Sequence, residues 1–181
     1  MFNKMDKLVL KKFFRLTDSY RENFITEYTL SSGKTSPYYI DCKKLLSYPY
    51  IRKAIGEMGE LILLNSSFDC VGGFGYDAIS FSQIISDHTK VGMFYVKNND
   101  HRNVVDGSFR SCYKALVVSD VFLTGDSILK AATAARQVGM SVSEALVIVN
   151  SSTGYEDLQL FKMKHGITVH SMITVKELGE E

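Results

Sequence analysis

The chain has 181 residues and a mass of 20.3 kDa, enough for one domain with a sizeable core and little more. Apolar residues make up 45% and charged residues 23%, with two prolines and no low-complexity tract, which excludes a disordered chain. Lys and Arg number 21 against 20 Asp and Glu, and a formal net charge of +1 supplies no global field for holding nucleic acid or an anionic membrane. Any anion site must therefore be local.

Taken in chain order, residues 1–16 are interrupted by Lys4, Asp6, Lys7, Lys11, Lys12 and Arg15, so they lack the continuous apolar stretch of a signal peptide. Val9, Phe13 and Leu16 at helical spacing predict a helix with one buried stripe. Residues 26–30 and 38–41 read as two short strands flanking the turn-prone Ser31-Ser32-Gly33-Lys34, a small antiparallel flap. Together with the first helix, residues 1–48 make an N-terminal helix and hood.

Beyond residue 50, short β-branched runs alternate with longer segments carrying apolar residues at spacings of three and four. Strands are predicted at 68–71, 91–95, 116–121, 145–149 and 167–174, and helices at 50–64, 77–86, 127–138 and 155–164. The expected fold is α/β, a mainly parallel five-stranded sheet with flanking helices, in a single domain over 1–181. In such sheets ligands collect outside the carboxyl ends of the strands. No run is long enough to span a bilayer. Cys42, Cys70 and Cys112 show neither zinc-ligand nor redox spacing and read as reduced thiols of a cytoplasmic protein.

The most informative stretch is Ala115-Leu116-Val117-Val118-Ser119-Asp120-Val121-Phe122-Leu123-Thr124-Gly125-Asp126-Ser127. An apolar strand ends in a carboxylate, a tight turn with a glycine, and hydroxyl residues at a helix start. Such a turn aims unpaired backbone N–H groups and the positive helix end at one point, with Thr124 and Ser127 as added donors. That is a seat for a phosphate, and Asp120 could hold ribose hydroxyls beside it. An ordinary helix cap and a strand-end aspartate would use the same residues.

The segment 118–127 resembles the phosphoribosyl pyrophosphate signature of type I phosphoribosyltransferases, and Ser32-Gly33-Lys34-Thr35-Ser36-Pro37-Tyr38-Tyr39-Ile40-Asp41 resembles the N-terminal signature of their orotate branch. The resemblance runs over residues 20–178. It implies transfer of ribose 5-phosphate from phosphoribosyl pyrophosphate to orotate, with release of pyrophosphate, Mg2+ as helper and an oxocarbenium-like transition state. It further implies that Thr124, Gly125, Asp126 and Ser127 hold the 5-phosphate, and that Asp120 grips the ribose, stabilises its charge and anchors the metal. The turn with Gly75 and Tyr76 would approach the pyrophosphate. Lys97 and His101, with Arg102, would come from a mobile loop over 96–103 that reaches a neighbouring subunit of a homodimer. Lys34 joins these as a substrate-binding cation, and Asn150 stands where the base is held.

Several positions depart from that pattern. Ser119-Asp120 replaces an acidic pair, Leu123 replaces a polar loop residue, and Asp126 puts a carboxylate into the phosphate turn. Ser31 and Asp77 stand at customary lysines, Asn150 at a customary arginine, and the loop is about three residues short. Lys34, Lys43, Lys44 and Arg102 are the cations nearest in sequence; Lys43 and Lys44 read as solvated surface. One of Tyr38 and Tyr39 is expected to pack and the other to face a base. Four histidines without shared spacing, and no Gly-x-Ser-x-Gly elbow or Gly-Lys-Ser/Thr phosphate loop, argue against zinc, serine-hydrolase and nucleotide-triphosphatase chemistry. The leading expectation is an orotate-type phosphoribosyltransferase. A weakly active relative that binds a phosphorylated ligand or partner, and a transferase for another base, stay open on the sequence.

Overall fold

A computed structural model of the protein describes residues 4–23, 25, 28–29, 35–99, 102–152 and 155–180. The elements run α1 (Lys4–Leu16), β1 (Tyr20–Glu22), β2 (Tyr28–Thr29), β3 (Thr35–Ser36), β4 (Tyr38–Ile40), α2 (Cys42–Leu46), α3 (Pro49–Ile62), β5 (Cys70–Phe74) and α4 (Tyr76–Thr89). They continue through β6 (Gly92–Asn99), β7 (Arg102–Gly107), β8 (Lys114–Phe122), α5 (Asp126–Gln137), β9 (Ser141–Asn150), α6 (Tyr155–His165), β10 (Thr168–Thr174) and α7 (Val175–Gly179).

The central sheet has the order β10-β9-β8-β5-β6-β7. The five strands expected from sequence are there and mutually parallel. The sheet nevertheless has six strands, not five, because residues 102–107 return alongside β6 as an antiparallel edge. The segment expected as a mobile loop is thus largely the two arms of a hairpin, paired out to Asn99 and Arg102. β6 pairs with β5 only as far as Val96, so the hairpin end projects beyond the body of the sheet.

Alternation along the buried strands sorts side chains into two layers. Leu116, Val118, Leu146 and Ile148 face a core completed by α1, α2, α3 and α4. Val117, Ala145 and Val147 face a second core under α5 and α6. Ala131, Ala132, Ala134 and Ala135 form the buried side of α5 and let that helix lie close to the sheet. The Cys70 thiol lies within this second core, and its burial pushes the pKa up to about 11.

The hood differs from the expected flap in its pairing. β4 pairs antiparallel with β1, Tyr20 opposite Ile40, while β2 pairs with β3. The backbone of residues 38–40 is thus paired with the chain just after α1, not with residues 28–29. Asp41 closes the hood by accepting from Lys44 N at 2.9 Å as the N-cap of α2. In α1 the buried stripe is Leu10, Phe14 and Thr17; Val9 and Phe13 are only partly buried and Leu16 is 77% exposed, one residue out of register with the expected stripe.

Helix α7 ends the described chain on a capping box in which Thr174 and Glu177 bond reciprocally. Lys7 Nζ reaches Glu177 Oε1 at 2.6 Å and ties α1 to α7. Burial alone would raise the Glu177 pKa, but hydrogen bonds from Lys7 and Thr174 outweigh it and hold the carboxyl below its ordinary value.

Candidate active site

Strand order reverses between β5 and β8. From β5 the chain passes through α4 to β6 on one side, and from β8 through α5 to β9 on the other. The two helices lie on opposite faces of the sheet, so their N-termini flank the crevice in which doubly wound sheets bind ligands.

Each helix starts from a glycine in a conformation that L side chains avoid, Gly75 at φ 78° and Gly125 at φ 81°. Neither start carries a side-chain cap. No first-turn amide is therefore taken up by a capping side chain, and the positive helix ends face the crevice. The Gly75 N–H donates to Val96 O at 3.0 Å, which ties that turn to β6. At Gly125 a side chain is also excluded by packing, since an added Cβ would fall 2.2 Å from the Phe161 ring.

The β8–α5 turn forms one wall of a cavity of about 670 Å³. Thr124, Gly125, Asp126 and Ser127 all line it, and Thr124, Asp126 and Ser127 are exposed. Tyr38, Tyr39 and Lys43 form the facing wall. Both tyrosines therefore reach the cavity: Tyr38 is half-buried and stacks on Tyr20 with ring centroids 6.4 Å apart, and Tyr39 leans on Tyr28 at 5.6 Å. Lys130, one helical turn beyond Asp126, also lines this space, with its ammonium 5.1 Å from the Phe74 ring centroid.

Asp120, Cys42 and Lys43 line both this cavity and a second one of about 290 Å³, whose wall also includes Arg52, Tyr76 and Ser80. The half-buried Asp120 carboxylate is oriented by accepting from Val121 N at 2.8 Å through Oδ1. Its neighbour Ser119 is buried, with Oγ 3.4 Å from Val121 O. The serine that replaces an acid thus turns toward its own backbone.

The remaining expected site residues are distributed differently. Tyr76 is 85% exposed and lines the smaller cavity, while Gly75 shapes the turn before it. Lys97 stands on the β6–β7 hairpin, its Nζ 2.6 Å from Asp106 Oδ2. Asn150 is buried at the end of β9, and its Oδ1 accepts from Ser152 N at 3.0 Å and Ser152 Oγ at 2.7 Å; the neighbouring Ser151 lines the larger cavity. Lys34 and His101 lie outside the described residues, and Arg102 is described by its backbone alone.

Three more cations line the two cavities. Lys43, read with Lys44 as solvated surface, is exposed and lines both, while Lys44 Nζ lies 3.7 Å from Asp18 Oδ2 and 3.4 Å from Asp18 O. Arg52 and Lys130 were not singled out. Lys130 follows Asp126 by four residues on one helix and so shares its face, a spacing that could have drawn it in.

No family model matches the chain. It is 33% identical over 134 residues to the orotate phosphoribosyltransferase of Rhizobium etli, covering 70% of this chain and 58% of that protein. It is 31% identical over 155 residues to the orotate phosphoribosyltransferase of Cereibacter sphaeroides, covering 81% and 66%. The chain thus spans about three fifths of the length of the curated relatives it matches. Among solved structures, the orotate phosphoribosyltransferase of Mycobacterium tuberculosis superimposes with a TM-score of 0.80 at 25% identity, covering 97% of this chain and 99% of that one.

Proposed function

Since the chain belongs to the type I phosphoribosyltransferases, on their orotate branch, we propose that it transfers ribose 5-phosphate from phosphoribosyl pyrophosphate to orotate in pyrimidine nucleotide synthesis. The observation that carries this reading is the uncapped β8–α5 turn opening, beside Asp120, into a cavity at the reversal of strand order. Amides and hydroxyls at Thr124 to Ser127 cradle the 5-phosphate, helped by the positive end of α5. Asp120 binds the ribose hydroxyls. As the bond from C1 to the diphosphate oxygen breaks and the bond to the base nitrogen forms, the ring gains positive charge, and a fixed carboxylate beside it favours that state over the ground state. Tyr38 and Tyr39 offer ring faces to the base across the cavity.

Mg2+ fits this site as a substrate-borne ion. Among the described residues no three of His, Cys, Asp and Glu are grouped to hold a metal by themselves. Mg2+ commonly relies on one or two carboxylates plus substrate phosphates. Asp120 is the carboxylate in place, and the ion would neutralise charge on the departing diphosphate. The paired arms of residues 97–99 and 102–104, which run past the end of β5 and carry Lys97, support a homodimer in which the segment with Lys97, His101 and Arg102 covers a neighbouring cavity. Lys97 would then exchange Asp106 for a phosphate oxygen. Asn150 would act on the base only indirectly, by bonding Ser152 and so setting the turn whose Ser151 lines the cavity. The family's metabolism and the reduced cysteines support a cytoplasmic protein.

The test is orotate-dependent pyrophosphate release by the purified chain with phosphoribosyl pyrophosphate and Mg2+. Asp120→Asn, which keeps the shape and removes the charge, is expected to lower turnover about 100-fold or more. Pyrophosphate release that does not depend on orotate, or none at all, overturns the reading.

A further inference from the structure

The two cavities that meet at Asp120 differ in the sign of their walls. Among the described residues, the larger is lined by Asp41, Asp120 and Asp126 against Lys43 and Lys130. The smaller is lined by Asp120 against Lys43 and Arg52. The larger space thus has an excess of carboxylates, and its anion-binding capacity rests on the amides of the α5 turn. Side-chain cations outnumber carboxylates only in the smaller space.

A substrate with a phosphate at one end and a diphosphate at the other must place its greater charge somewhere. Lys97, the described cation of the hairpin, is paired with Asp106. Resting on the proposed transferase reading, we infer that Lys43 of α2 and Arg52 of α3 bind the diphosphate of the ribosyl donor in the smaller cavity, while the α5 turn holds the 5-phosphate in the larger.

Three features support this division. Asp120 borders both spaces, so a ribose gripped there has one arm available to each. Arg52 is fixed in advance, because its Nη1 donates to Leu46 O at 2.8 Å and Ser47 O at 3.1 Å, holding the planar guanidinium beside the C-terminal end of α2. An arginine held in this way loses little side-chain freedom on meeting an anion and presents a fork that matches phosphate oxygens. Lys43 lines both cavities and so stands beside a ribose held at Asp120. Tyr76 and Ser80 add hydroxyls to the same wall, next to the glycine-capped start of α4.

Calorimetric titrations of the full chain with inorganic pyrophosphate plus Mg2+, and separately with ribose 5-phosphate, test the division. The wild-type protein is expected to bind both. Lys43→Met and Arg52→Gln should each weaken pyrophosphate about tenfold or more. Ribose 5-phosphate should stay within about twofold, since its anion sits on backbone amides. Lys43→Arg should recover most of the loss, and Lys44→Met, whose target is paired with Asp18, should change neither ligand. Arg52→Gln also tests the wall at α2; if that variant does not fold, Lys43→Met decides alone. Equal weakening of both ligands, unchanged pyrophosphate binding in Lys43→Met, or a wild-type protein that binds ribose 5-phosphate but not pyrophosphate overturns the inference and leaves the transferase reading in place. A wild-type protein that binds neither overturns both.

Discussion

The two glycine-started helices on either side of the strand reversal look alike in backbone and differ in what surrounds them. Gly75 and Gly125 have nearly the same positive φ, and neither helix has a side-chain cap. Around Gly75 an added Cβ meets nothing within 4 Å, whereas at Gly125 it strikes Phe161. The first turn is tied to β6 by the Gly75–Val96 hydrogen bond, with open space where a Gly75 side chain would stand. The second is clamped from behind by an aromatic ring that itself packs edge-on against Phe122, with centroids 5.2 Å apart. One lip of the crevice thus has room for a side chain at its glycine and the other does not, and the filled one carries Thr124, Ser127 and Asp126.

The sharpest way to break this contrast is Gly125→Ala. It combines a disfavoured φ with overpacking against a core ring, and the expected loss is about 3 kcal/mol in chemical denaturation. Ribose 5-phosphate affinity should fall with it, as the amides lose their aim. Gly75→Ala should cost about 1 kcal/mol, the conformational penalty with no clash. A comparable loss at both glycines would erase the distinction. Phe161→Leu in the Gly125→Ala background sharpens it further: the double variant should recover part of the Gly125→Ala loss, and a coupling of at least about 0.5 kcal/mol in a double-mutant cycle is expected.

The smallest effect is a reference point remote from both lips. The Glu177 carboxyl has a folded pKa below its ordinary value, so its contribution is complete above the unfolded pKa and disappears as pH falls through the folded one. Glu177→Gln should therefore flatten the loss of stability below about pH 4.5 by under about 1 kcal/mol, given the partial exposure of the Lys7 pair. Binding at the crevice should be unaffected at neutral pH.

What was legible in the sequence follows from how strongly each feature is written into local pattern. The inner strands β5, β8 and β9 carry continuous apolar runs, β6 and β10 shorter ones, and all five overlap the ranges expected from sequence. The sixth strand is an edge: residues 102–107 include Arg102, Asn103, Asp106 and Gly107, with only Val104 and Val105 to suggest a strand, and so they read as loop. In α1, Val9-Phe13-Leu16 and Leu10-Phe14-Thr17 have the same spacing, and only the packing of α1 against the body of the protein decides which set is buried. The β8–α5 turn is legible because its residues lie in one contiguous stretch. Lys43 was not separable from Lys44, because neighbours on a helix differ by about 100° in direction and sequence order alone does not say which faces a cavity. Arg52 comes to the wall of the smaller cavity only through the placement of α3 beside α2.

The larger cavity takes its walls from the hood, from the turn after β8 and from the residue following β9, stretches separated by tens of residues along the chain. Recovery of ligand affinity in a refolding experiment should therefore lag behind the return of helical circular dichroism, because affinity depends on the last long-range segments to dock rather than on any single early-forming unit.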